Sequence, residues 1–88
     1  MDADRVMFEI YREAYAQQYR VVYFTELDDH NKDLEIDRAM AGEHVYDGFF
    51  RADHREEAKA VIEAALQRLK DGEEFKAEEL DDLLAEVA

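Results

Sequence analysis

Apolar residues in the first quarter of the chain recur at helical spacing. Tyr11, Tyr15, Tyr19 and Tyr23 stand four residues apart. A four-residue step turns about 40° around an α-helix, so these side chains climb one side of it. On a helical wheel the charged residues cluster on the opposite side: Arg5, Glu9, Arg12, Glu13 and Arg20. The pattern predicts a helix over about residues 3–23 with an unusually wide apolar arc. We expect Tyr11 and Tyr15 mainly in the core, and Tyr19 or Tyr23 near its edge.

The end of this segment also permits a second interpretation. Residues 20–25, RVVYFT, are rich in β-branched and aromatic side chains. Such a composition suits a strand as well as the last turns of a helix. An α+β fold with a short strand near residues 20–25 is therefore the alternative to a fully helical chain.

A second helix is predicted over about residues 28–41. Thr25 or Asp28 and Asp29 can cap its start, and Gly42 ends it. Its apolar periodicity is the poorest in the chain, with apolar positions at Leu27, Leu34, Ile36, Ala39 and Met40. Residues 42–52 then predict an irregular connection with a turn at Asp47-Gly48, because this dipeptide is typical of turns.

Two more helices follow from capping residues and apolar spacing. Asp53 is the predicted N-cap of a third helix over about residues 54–70, and Gly72 is its stop signal. The fourth begins after Lys76 and carries an apolar seam formed by Leu80, Leu83, Leu84 and Val87. Together the segments predict an all-α fold, a compact bundle of about four helices, in one domain over residues 1–88.

Charge is the outstanding global property of the sequence. The 88 residues include 24 acids against 11 bases, for a formal net charge of -13. Such a surface repels the phosphates of nucleic acids and membranes, so we expect no direct binding to either, and a charged partner should be basic. Disorder is not expected, because 48% of the residues are hydrophobic and five are Phe and five Tyr.

Neither a disulfide nor a thiolate metal site is expected, because the chain contains no cysteine. The first ten residues, MDADRVMFEI, carry acids where a secretory signal carries positive charge, and no apolar run reaches the length of a bilayer span. The sequence therefore predicts a cytoplasmic protein.

The sequence contains few of the residue types that commonly perform catalysis. Serine and cysteine are absent, Thr25 is the single threonine, and the three glycines are isolated. Carboxylates are too numerous to mark a particular acid and base. We therefore expect no enzyme activity and no cofactor.

Each histidine lies between two acids. His30, His44 and His54 each follow an acid directly and precede another by three residues. His and carboxylate at this spacing share a helical face and could bind a divalent metal. Because acids are so common in this chain, the coincidence carries little weight, and metal binding is kept as an alternative function.

The C-terminal segment offers the strongest candidate site. Residues 71–88 contain eight acids against one lysine. If the leucine seam faces the core, most of these acids form a wall on the opposite side of the helix, with carboxylates several ångströms apart like the phosphates of a nucleic acid. The predicted partner-binding residues are the acids of this segment and two tyrosines of the first predicted helix: Glu74, Glu78, Glu79, Asp81, Asp82, Glu86, Tyr19 and Tyr23.

These observations predict a small acidic protein-binding module that engages a basic protein surface. Its sharpest form is a nucleic-acid-mimicking inhibitor, of the kind phages use against host defence, which blocks a basic nucleic-acid-binding protein. A homodimeric structural or regulatory subunit joined through the tyrosine-bearing face of helix one is the main alternative. Solubility or adaptation to a salty cytoplasm would explain the acidity equally simply.

Overall fold

The computed structural model describes residues 5–14 and 18–87. Within these residues the elements are, in chain order, β1 (Arg5–Arg12), β2 (Tyr19–Phe24), a 3-10 turn (Glu26–Asp28), α1 (Lys32–Ala41), β3 (Glu43–Arg51), a second 3-10 turn (Ala52–His54), α2 (Arg55–Lys70) and α3 (Ala77–Val87). The fold is therefore α+β, and the prediction of an all-α bundle of about four helices was wrong. The alternative strand near residues 20–25 is confirmed by β2.

The three strands form an antiparallel sheet in the order β2-β1-β3. In the central strand, Phe8 lies opposite Tyr23 on one side and Gly48 on the other. Since directly opposed residues share a face of the sheet, this register sorts every strand residue onto one of two faces. We call the face that packs on α2 and α3 the core face, and the other the α1 face.

The tyrosine ladder belongs to two strands and not to one helix. Tyr11 lies in β1 and points to the α1 face, whereas Tyr19 and Tyr23 lie in β2 and point to the core face. A step of four residues is close to one helical turn, but it is also a multiple of the two-residue period of a strand. The spacing therefore could not separate the two structures. Tyr15 lies outside the described residues.

The predicted loop over residues 42–52 is mostly strand β3. Gly48 does not form a turn; it sits in mid-strand, where an added Cβ would lie 3.1 Å from the ring of Phe8 and 3.0 Å from that of Tyr46. This glycine makes room for aromatic packing, a recurrent reason for glycine inside a strand. Gly42 does end α1 as predicted, with a positive φ of 112°.

The hydrophobic core lies between the core face and the two C-terminal helices. Its buried members come from β1, β3, α2 and α3: Val6, Phe8, Ile10, Tyr46, Phe50, Ala58, Ile62, Leu69, Leu80 and Leu84. In β1 these are alternate residues, the period of a strand with one buried face. Phe8 is also within aromatic contact distance of Tyr46 and Phe50, at 5.7 and 6.1 Å between ring centroids.

Helix α1 covers part of the α1 face. Its Arg38 donates from Nε to Glu9 of β1 at 2.5 Å, and the same guanidinium stacks over the ring of Phe24 at 4.4 Å. The helix begins at Lys32 and is capped by Asn31, whose side chain accepts from the backbone N–H of Asp33. The predicted cap at Thr25 and Asp28 forms instead on the preceding 3-10 turn, where the Asp28 carboxylate accepts from the Thr25 backbone N–H. Of the apolar positions predicted for this helix, the structure buries Leu34 and leaves the others exposed.

The two C-terminal helices agree closely with the predictions. Helix α2 ends before Gly72, which has a φ of 82°, and α3 begins directly after Lys76, whose carbonyl accepts from the N–H of Leu80 at 3.3 Å. The predicted N-cap Asp53 instead lies in the preceding 3-10 turn. In the described part of the chain, every helix is too short or too polar to cross a bilayer.

Candidate protein-binding surfaces

Helix α3 presents a row of carboxylates to solvent. Leu80 and Leu84 anchor the helix to the core with 2% and 6% of their surfaces exposed. The outer side of the same helix carries Glu78, Asp82 and Glu86, all exposed and four residues apart. Residues at this spacing lie above one another on a helix, about 6 Å apart along its axis. We call these three residues the carboxylate row.

The carboxylate row is free of internal ion pairs among the described residues. The salt bridges of residues 5–14 and 18–87 involve other carboxylates, on β1 and β3, in the turns and loops, and at Glu79. Three like charges along one helix repel each other weakly, and a cationic partner would relieve that repulsion. The row therefore offers unneutralised charge at a rigid spacing.

Two other predicted wall residues serve the fold itself. Glu79 accepts from Nη1 of Arg68 at 3.0 Å, and Arg68 also donates to Glu73 at 2.8 Å, so the arginine joins α2 to the start of α3. Asp81 accepts the hydroxyl hydrogen bond of Tyr46 on β3. Burial, and then the bond to Asp81, raises the pKa of Tyr46. Glu79 and Asp81 therefore position α3, and we assign them no direct role at the surface.

An apolar crevice between α2 and α3 adjoins the acidic side chains. Phe75, Leu80 and Leu83 line it, and Glu74 lies at the same crevice in the exposed connection between the helices. Leu83 is 40% exposed, so the predicted leucine seam is only partly buried. By helical spacing Leu83 neighbours both Glu79 and Glu86, which places exposed apolar surface beside the carboxylate row. The side chain of Val87 lies outside the described part of the structure.

The two predicted tyrosines lie away from this surface. Tyr23 is half-buried on the core face, with its ring 6.4 Å from that of Phe8 and 6.2 Å from that of Phe50. Burial raises its pKa, and Lys59 Nζ lies 5.2 Å from its ring centroid. Tyr19 and Tyr23 both belong to β2, whereas α3 contacts β3 at the opposite edge of the sheet. The predicted combination of carboxylates and tyrosines is therefore not one surface.

Among the described residues, His44 is the histidine that lies close to two carboxylates. His44 Nε2 lies 3.9 Å from Asp47 Oδ1 on the same strand, not on the helical face that the spacing predicted, and 4.0 Å from Glu9 Oε2 across the sheet. Within residues 5–14 and 18–87, no group of three or more His, Asp or Glu side chains has the arrangement of a metal site.

Sequence reasoning missed the exposed edge of the sheet at β3. Phe49 on this strand is 52% exposed, and a groove beside the strand is lined by Met7, Tyr46, Gly48, Phe49, Leu84 and Ala85. The signal was present in the alternation of Tyr46, Gly48 and Phe50 with Asp47, Phe49 and Arg51, which is typical of a strand with two different faces. The Asp-Gly pair inside it favoured a turn instead.

Comparisons of this chain with models of protein families, with curated proteins and with solved structures found no match.

Proposed function

We propose that this protein is a small acidic protein-binding module that uses the carboxylate row of α3 against a basic surface of another protein. The main observation behind this proposal is that α3 exposes three aligned carboxylates, Glu78, Asp82 and Glu86. They form no internal salt bridge within the described chain. Their neighbours Glu79 and Asp81 are engaged with the fold. The row is thus a charged surface on a helix held in place by other contacts.

Electrostatics supports a basic partner. A net charge of -13 attracts cationic surfaces over a distance set by the salt concentration and repels anionic ones. Charge complementarity mainly speeds association and selects the partner, while a buried apolar contact slows dissociation. Leu83, exposed beside the row, can provide that apolar contact.

The finer form of the proposal is nucleic-acid mimicry. Carboxylates several ångströms apart along a helix resemble the regular charge of a phosphate backbone, and a basic groove that binds nucleic acid would accept them. An inhibitor of phage anti-defence type would work in this way. This form is supported by the spacing of the row and by the overall charge.

A charge-reversal variant tests the proposal. We expect Glu78→Lys, Asp82→Lys and Glu86→Lys together to abolish capture of a basic protein from a lysate of the source cell, because attraction at the row becomes repulsion. The immobilised wild-type protein should release that partner when salt is raised, and mass spectrometry of the eluate identifies it.

The matched control reverses three exposed acids away from α3, at Glu35, Asp37 and Glu63. It changes the net charge by the same amount and should keep most of the binding. If the row variant captured the same partner as the wild type, or if both variants lost it equally, the carboxylate row would not be the binding surface. Mimicry in particular requires that nucleic acid compete with the protein for the captured partner.

A further inference from the structure

We propose that two copies of this chain associate through the outer edge of β3, paired antiparallel about a two-fold axis at Phe49. The partner is a second copy of the same strand, which would extend the three-stranded sheet across both molecules. Pairing of this type satisfies the backbone groups that an edge strand leaves open.

The outer edge of β3 is accessible. The strand pairs with β1 on one side, and within the described residues its backbone makes no hydrogen bond to any other element. Beside the strand lies the groove lined by Met7, Phe49 and, from α3, Leu84. Helix α3 therefore borders the edge without filling the space next to it.

The sequence of β3 is self-complementary in one register. When Phe49 lies opposite Phe49 of a second copy, Asp47 of each molecule lies opposite Arg51 of the other. All three residues are on the α1 face, because they alternate along the strand. Opposed side chains in such a pair are about 5 Å apart, close enough for two symmetric ion pairs and an aromatic contact. A self-complementary patch of this kind is what a two-fold dimer requires.

Neighbouring registers lack this complementarity. A shift of one residue in one strand would place core-face side chains against α1-face side chains. Centring the axis on Asp47 opposes two carboxylates, and centring it on Gly48 sets Asp47 opposite Phe49. Toward the start of β3, Val45 has no partner on β1, so a bulge interrupts the regular strand there. Regular pairing with a second copy is therefore confined to the part of β3 that follows Val45.

The other edge of the sheet does not offer the same match. Strand β2 has the sequence YRVVYF, which contains one arginine and no acid. It therefore cannot form reciprocal ion pairs with a second copy of itself. Phe49, in contrast, is 52% exposed with a guanidinium from Arg5 on its ring at 4.0 Å, and a second aromatic ring would cover what remains.

Charge-swap variants test the register as well as the dimer. We expect the wild type to pass from monomer to dimer between about 1 µM and about 1 mM in sedimentation equilibrium at physiological salt, the range for a small interface. Asp47→Arg alone places an arginine opposite Arg51 of the second copy. Arg51→Asp alone places an aspartate opposite Asp47 of the second copy. Each should weaken dimerisation about tenfold or more. The double variant Asp47→Arg/Arg51→Asp should recover it.

Mixing the two single variants provides the most specific result. In a heterodimer of Asp47→Arg with Arg51→Asp, both cross-strand pairs again join an arginine to an aspartate, so the mixture should dimerise better than either variant alone. A monomeric wild type over the whole concentration range, or a dimer that ignores the single and double swaps, would overturn the proposal.

The variants should leave the fold intact, because the side chains of Asp47 and Arg51 are 75% and 59% exposed. Circular dichroism checks this point. None of the substitutions touches the carboxylate row, so the result is independent of the proposed function.

Discussion

The two faces of the sheet are built from the same strands but differ in burial and in the helices that cover them. On the core face, Phe8 and Ile10 are fully buried, and α2 and α3 cover them. On the α1 face, their chain neighbours Met7 and Glu9 are partly exposed, and Glu9 accepts a hydrogen bond from Arg38 of α1. The core face provides the larger share of the apolar burial that holds the domain together. The α1 side buries a smaller set of side chains, among them Tyr11, Phe24 and Leu34.

The largest expected difference between the faces comes from adjacent truncations in β1. Phe8→Ala should lower the free energy of unfolding by about 3–5 kcal/mol, because it empties the centre of the core. Met7→Ala, one residue away on the α1 face, should cost about 1 kcal/mol or less. Urea denaturation followed by circular dichroism measures both. Equal losses would show that the α1 face is as important to stability as the core face.

Alkaline pH should act on the core face through Tyr46. Burial, followed by the bond to Asp81, raises the pKa of Tyr46 above the ordinary value of 10.0. The folded state therefore holds this proton more tightly than the unfolded state, so its contribution to stability is complete below pH 10 and is lost as pH rises further.

We expect Tyr46→Phe to flatten this alkaline loss of stability. The variant lacks the titrating hydroxyl, although it also loses the bond to Asp81 and is less stable at neutral pH. Thermal unfolding measured from pH 7 upward gives both slopes. If wild type and variant fall in parallel above pH 10, another group governs the alkaline loss.

The smallest expected free-energy change comes from the ion pair between Arg38 and Glu9 on the α1 face. Arg38 and Glu9 have side chains 25% and 14% exposed, and their hydrogen bond raises the pKa of Arg38. A double-mutant cycle with Arg38→Ala and Glu9→Ala should give a coupling free energy of about 1 kcal/mol. A coupling near zero would mean that α1 is held by Leu34 and its apolar contacts alone.

The carboxylate row shows how far a binding surface can be predicted from local periodicity. The wheel of α3 correctly separated buried Leu80 and Leu84 from exposed Glu78, Asp82 and Glu86. It could not show that Asp81 meets Tyr46, because that contact joins residues 35 apart in the chain. Tyr19 and Tyr23 lie apart from the row, because the first predicted helix does not form and both tyrosines belong to β2.

The sequence by itself determined α2, α3 and the end of α1, since these depend on apolar spacing within one helix and on Gly42 and Gly72. Tertiary structure decided the sheet. A four-residue tyrosine step suits a helix and a strand alike, and β1 becomes a strand through pairing with β2 and with the distant β3. Pairing energy of this kind depends on segments that are far apart in the chain, so it outweighs the local preference without being visible in it. Gly48 is a second example. The local sequence Asp47-Gly48 favours a turn, but strand pairing places Gly48 against the ring of Phe8, where there is little room for a Cβ.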